Sequence, residues 1–210
     1  DANEVFADVE RAGLRVNPVD VPRGQSDNIS KEHLMFTNYN VLTPTGRPSN
    51  AYDGINFAAL NKSDGSRKMI TSRFDELIEF DFDAYHVRLI GKLIGYDFGD
   101  ESVHEHFSKL YNVSYEDSKS MTFKYLYGGV PDDIAKTHEF FGKVKDFYTK
   151  LWSRFNRDKV FLTDIYKRRI TLDVKEFYPS KLFNYMIQSL ETERNIVILK
   201  SLLKEIKDFK

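Results

Sequence analysis

Glu76-Leu77-Ile78-Glu79-Phe80-Asp81-Phe82-Asp83, followed by Ala84-Tyr85-His86-Val87-Arg88, is the stretch on which the reading of the fold turns. Its first eight residues alternate, with Ile78, Phe80 and Phe82 on one face and Glu79, Asp81 and Asp83 on the other. Side chains of a strand point to opposite faces with a period of two, so the alternation predicts a half-buried strand. From Ala84 the apolar period becomes helical and continues to Ile94, where Gly95 stops it. Three carboxylates on one strand face repel one another unless a cation sits among them. Mg²⁺ takes one or two carboxylates and completes its shell with water and phosphate oxygens, so a strand-end aspartate pair suits phosphoryl chemistry. The same pattern also suits the exposed polar face of an antiparallel sheet.

Working outward, residues 1–16 predict a short helix ending at Gly13, and 17–50 hold four of the six prolines and read as loop. Helices are predicted over 101–111, over 115–127 with Gly128-Gly129 closing it, and over 132–153. Residues 159–173 predict a hairpin with a basic turn, and the last thirty residues a helix whose apolar positions drift around its axis. The class expected is α+β, mostly helical.

The chain has 210 residues, 41% of them apolar, with 17 Phe and 12 Tyr. That content of large apolar side chains excludes disorder. Cysteine is absent, which excludes disulfide scaffolds, thiolate zinc sites and cysteine nucleophiles. The apolar run Ile196–Leu199 is broken by Lys200, far short of a membrane span, and residues 1–10 carry acids where a signal peptide would carry basic residues. The expectation is a soluble cytoplasmic protein with no membrane partner. The formal charge of −1 is a cancellation: net −3 over residues 1–44, +3 over 45–73, −8 over 74–117 and +7 over 118–210. An acidic centre between basic segments suits a site that holds cations and a polyanion together, although chance segregation produces the same pattern.

Within 115–127, Lys119, Phe123 and Tyr127 recur at i, i+4 and i+8 and so lie along one helix face. A cation followed by two rings could follow a nucleotide from phosphate to sugar to base, Lys supplying a point charge and the rings a stacking surface. An ordinary amphipathic helix, with rings inside and Lys119 snorkelling outward, has the same spacing.

In order along the chain, Thr45-Gly46-Arg47, Asp81-Phe82-Asp83-Ala84-Tyr85-His86-Val87-Arg88 and Lys119-x-x-x-Phe123-x-x-x-Tyr127-Gly128 resemble the family A DNA polymerases of the DNA polymerase I type. They are similar to its Thr-Gly-Arg element, motif A and the fingers helix of motif B. Asn184-x-x-x-Gln188 and the segment from Val160 to Arg169 extend the resemblance over about residues 45–209. The resemblance implies a right-hand polymerase palm, with part of its antiparallel sheet, plus helical fingers. It implies template-directed addition of a dNTP to a primer 3′-OH with two Mg²⁺ ions. Asp81 would be the catalytic, metal-binding aspartate and the Phe82 carbonyl a further ligand. Lys119 would bind the triphosphate, Phe123 would lie against the sugar and Tyr127 near the template base. His104 would contact phosphate, and Arg47, Arg88, Asn184 and Gln188 would touch the primer–template DNA.

The chain departs from the family pattern at several points. His86, expected among the nucleotide-binding residues, stands where the family usually has a Glu that blocks a ribose 2′-OH, and its imidazole is bulky enough to serve; Asp83 replaces a small polar residue; Tyr115 and Ser180 stand where Arg is common. Motif C, with the second catalytic aspartate, has no counterpart, and the 28 residues between Val16 and Thr45 are too few for a thumb. The expectation is therefore the fingers and part of the palm of such a polymerase, of viral origin, completed by a further segment or chain that carries motif C. Its expected divisions are 1–44 (thumb-proximal helix and loop), 45–100 (palm with motif A), 101–158 (fingers) and 159–210 (hairpin and long helix). A non-catalytic primer–template-binding or assembly subunit is the alternative. An Asp-x-Asp phosphatase is a third reading, disfavoured because Ala84-Tyr85 follows where such enzymes carry Gly-Thr.

Overall fold

Residues 81–194 form one of two compact units and are built on a cluster of aromatic rings. The structure, a computed structural model, describes residues 2–51, 55–61, 63–170 and 177–205. In this unit α2 (Tyr85–Ile94), α3 (Val103–Tyr111), α4 (Tyr115–Gly128), α5 (Asp132–Thr137), α6 (Glu139–Asp158) and the first turns of α7 (Pro179–Glu205) surround Phe98, Phe107, Phe140, Phe141 and Phe183. Ring centroids in this core lie 5.1–5.6 Å apart, mostly edge to face, the arrangement favoured by aromatic quadrupoles.

The helix limits follow local chemistry. Gly95 ends α2 at φ +67°, and Gly129 ends α4 at φ +100°, conformations that favour glycine. Ser114 caps α4, its Oγ accepting from the Asp117 amide at 3.1 Å. The long helix expected over 132–153 is instead two helices. His138 is extended (φ −125°, ψ 111°) and separates α5 from α6, which then continues to Asp158. The break folds α5 back on α6 so closely that a Cβ at Gly142 would lie 2.7 Å from the Ala135 carbonyl oxygen.

Beyond α6, β5 (Phe161–Leu162) pairs antiparallel with β6 (Arg169–Ile170). The predicted hairpin is therefore present, and its residues 171–173 lie outside the described residues. Its turn is anchored to α7, where the buried Glu193 accepts at Oε2 from the amides of Ile165 (2.7 Å) and Tyr166 (3.2 Å). A cavity of about 600 Å³ lies between this hairpin, α6 and α7, lined in part by Phe155, Phe161, Met186 and Leu190. None of the candidate site residues is in its described lining.

The other unit comprises residues 1–80 and 195–210. It holds α1 (Ala2–Ala12), followed as expected by Gly13, and two strand pairs formed largely from the 17–50 stretch read as loop. These are β1 (Leu14–Arg15) with β2 (Leu34–Met35), and β3 (Asn38–Asn40) with β4 (Ser49–Ala51). Its core is small: Val16, Val21, Met35, Ile55 and Met69.

The strand predicted over 76–83 does not form. No ladder includes these residues among the described ones, and the apolar face stands in solvent, with Ile78 71%, Phe80 81% and Phe82 52% exposed. A strand needs a neighbour for its amides and carbonyls. Here Ser72 instead draws the chain into a local turn, its Oγ accepting from the Phe74 amide (3.1 Å) and donating to the Glu76 carbonyl (2.7 Å). Among the described residues, no helix is long and apolar enough to cross a membrane.

Gly142→Ala tests the α5–α6 packing. Helix propensity alone favours Ala over Gly by about 1 kcal/mol. The backbone contact at Ala135 reverses the sign, and a loss of about 1–3 kcal/mol is expected in urea unfolding.

Candidate functional site

Helix α4 presents two adjacent stripes. Ser118, Thr122 and Leu126 are buried against the core, and their small size at the first two positions lets α4 approach α3 closely. The Ser118 hydroxyl lies 2.8 Å from the His104 carbonyl, to which it donates across that interface. One residue along, Lys119, Phe123 and Tyr127 form the outer stripe, with Lys119 exposed and both rings half-buried. The rings of Phe123 and Tyr127 are parallel to within 7°, their centroids 5.8 Å apart.

His104 is buried on α3 and packs against this stripe from below, 5.9 Å from Phe123 and 5.6 Å from Tyr115 between ring centroids. Burial lowers its pKa from the usual 6.5, and the Lys119 ammonium lowers it further, while Asp83 and Glu116 oppose the shift. The shift favours the neutral imidazole, which keeps one N–H and can still donate a hydrogen bond, though without the positive charge.

His86, in the first turn of α2, reaches the same face. Its Nδ1 hydrogen-bonds the hydroxyl of Tyr127, and its Nε2 lies 2.8 Å from Oε2 of Glu191 on α7. Glu191 was not among the residues picked out from the sequence. It lies i+7 from Asn184 and i+3 from Gln188, so helical spacing from those two was the available signal. Asn184 and Gln188 bond each other, Gln188 Nε2 donating to Asn184 Oδ1 at 3.0 Å, both half-buried. Five residues expected in a nucleotide-binding role thus divide into a continuous ring series (His104, Phe123, Tyr127, His86) with Lys119 at its open end.

The acidic residues are less concentrated than expected. Asp81 is exposed at the start of this unit, and Phe82 stacks on Tyr85 with centroids 4.6 Å apart. Asp83 is engaged elsewhere. Its Oδ2 accepts from Arg88 (3.0 Å) and from the Val103 amide (3.2 Å), holding the start of α3. Arg88 also donates to the carbonyls of Gly99 (3.3 Å) and Glu101 (2.8 Å). Most of its donors therefore brace the α2–α3 connection, and the negative charge of Asp83 is matched locally. No group of three or more His, Cys, Asp or Glu able to hold a metal occurs among the described residues. In the other unit, Thr45 is buried, Gly46 has φ +75°, and Arg47 is exposed, its carbonyl accepting from Thr43 Oγ1 at 2.8 Å.

No family model matches the chain, and no curated protein does. Among solved structures, it is similar to the POL domain of Pol1 from M. smegmatis in complex with DNA primer-template and dNTP. The TM-score is 0.68 at 17% identity, covering 87% of this chain. The fold resembles part of that polymerase domain. The chain spans 40% of the length of that structure.

The buried neutral His104 has a pH consequence. Its folded pKa is below the unfolded value of 6.5, so the unfolded state binds the extra proton and stability is lost as pH falls through 6.5. Melting temperature should drop on going from pH 7.5 to 5.5, and His104→Phe should reduce that drop.

Proposed function

We propose that this chain is the fingers and part of the palm of a DNA polymerase of the family A type, transferring a nucleotidyl group from a dNTP to a primer 3′-OH. The observation that carries the reading is the outer stripe of α4: one exposed cation followed by two parallel, half-buried rings, in a fold shared with a polymerase domain. Lys119 would hold the triphosphate by charge, and Phe123 and Tyr127 would offer their ring faces to sugar and base. Phosphoryl transfer is mainly positioning and charge neutralisation, and this stripe supplies both along one axis. Arg47, Asn184, Gln188 and the remaining donors of Arg88 are the side chains that would contact primer–template DNA.

The donors present fit one Mg²⁺ shared with a triphosphate, held by the exposed Asp81 carboxylate and the Phe82 carbonyl, with phosphate oxygens and water completing the shell. Such an ion would supply charge neutralisation at the phosphates and acidify the attacking hydroxyl. Asp83 has Oδ2 committed to Arg88 and the Val103 amide, so only its Oδ1 could join this set. We assign the second carboxylate of a two-ion site to a further segment or chain. The solvent-exposed apolar face of Ile78, Phe80 and Phe82 supports a strand partner bringing that carboxylate beside Asp81.

Primer extension with the protein in its native full-length or assembled form tests the reading. Asp81→Asn should abolish extension while leaving primer–template affinity within about twofold, since the change removes a metal ligand and no DNA contact. Lys119→Ala should raise the KM for dNTP by about tenfold or more, the scale of one lost charge-assisted contact. Full extension by the Asp81→Asn protein overturns the assignment. Primer–template binding without extension by the wild-type assembly would favour a non-catalytic subunit.

A further inference from the structure

His86 is held from both sides. Nδ1 meets the Tyr127 hydroxyl, and Nε2 lies 2.8 Å from Glu191, with the His86 and Glu191 side chains only 18% and 19% exposed. The pair meets the distance of an ion pair but not the angle of a hydrogen bond; an ionised carboxylate offers only acceptor lone pairs, so at this distance the nitrogen facing Glu191 carries the hydrogen. In the neutral ring Nδ1 is then the acceptor and Tyr127 the donor. In the cation both ring nitrogens donate. In either state, Glu191 fixes the orientation of the imidazole, and the imidazole fixes Tyr127, whose ring lies parallel to Phe123. A constraint set on α7 therefore passes through α2 to the ring face of α4.

Resting on the nucleotide-site reading above, we propose that Glu191 is a positioning residue: it clamps His86 as a rigid wall beside the nucleotide sugar, and discrimination against a ribose 2′-OH depends on that clamp. A ring excludes an extra hydroxyl only if it cannot swing aside, and an imidazole tied at one nitrogen alone can rotate about its Cβ–Cγ bond. Tyr85, one residue from His86, senses the Glu191 charge, and Arg194 lies one turn beyond Glu191. Burial raises the Tyr85 pKa, the Glu191 charge raises it further, and Arg194 opposes them. Arg194 stands three residues beyond Glu191 on the same helix, and a purely ionic role for Glu191 toward that arginine is the alternative to be tested.

Two readouts on the full-length protein separate these roles. In ¹⁵N spectra of the imidazole, wild-type His86 should carry its proton on Nε2. Glu191→Gln, whose side-chain amide can donate as well as accept, should give a mixture of tautomers. In single-nucleotide insertion, the ratio of kcat/KM for dNTP over rNTP should fall about fivefold to tenfold in Glu191→Gln, the scale of one ordinary polar contact, through a lower KM for rNTP. Arg194→Ala should leave that ratio unchanged. Glu191→Asp, which keeps the charge but withdraws it by one methylene, replaces Glu191→Gln if the latter fails to fold. An unchanged tautomer and an unchanged ratio in a folded variant overturn the proposal, as does a ratio that falls equally in Arg194→Ala. Failure of the wild-type protein to insert any nucleotide would instead sink the polymerase reading, and persistence of the Nε2 proton in Glu191→Gln would then still refute the clamp.

Discussion

The position of Phe107 is the constraint on which the unit from Asp81 to Arg194 depends. Its ring lies within 5.2–5.6 Å, centroid to centroid, of Phe98, Tyr111, Phe140 and Phe141, and this fixes α3 against α6. His104 sits three residues earlier on α3, turned toward α4 rather than toward the core. The same short helix therefore anchors the hydrophobic interior at one residue and supports the ring stripe of α4 at another. Aromatic pairs contribute about 0.5–1.5 kcal/mol each beyond area burial, so a five-ring cluster gives α3 a firmly defined orientation. The Arg88–Asp83 pair and the Val103 amide then fix where α3 begins.

Helix α4 shows how a single helix can be both structural and chemical. Its buried stripe is narrow and starts with Ser and Thr, so the helix approaches its neighbour closely without spending a wide apolar face. The stripe one residue away is left half-covered, with Lys119 in water and two rings presenting their faces. The resemblance to polymerase sequences fell on the outer stripe, while the packing that positions it is carried by Ser118, Thr122 and Leu126.

Much of this was legible in the sequence where the cause is local. Gly95, Ser114 and Gly129 end or begin helices through the conformation and hydrogen bonding of their own residue, and all three helix limits were readable. His138 was not, because nothing in its immediate neighbours distinguishes a helix break from a helix interior. The break depends on how closely Gly142 meets Ala135. The alternation at 76–83 described a strand's side chains correctly but could not report whether a neighbouring strand was present. Within the site, Lys119, Phe123 and Tyr127 were visible from their spacing on one helix. Glu191 was not, since its partner His86 lies on a different helix far away in the chain. The drifting apolar pattern of α7 gives no fixed outer face from which to pick out one glutamate.

The bare segment around Phe80 also bears on how this protein behaves in solution. A β-prone stretch with uncovered Phe and Ile can serve as a template for edge-to-edge association between copies. Here Glu79 and Asp81 alternate with the apolar side chains and act as gatekeepers, because stacking two such segments in register would line up like charges. That protection is electrostatic and so has a range of about 10 Å at 0.1 M salt, shrinking to about 3 Å at 1 M. Concentrated salt would weaken the repulsion while strengthening the attraction between the rings, and so would favour self-association.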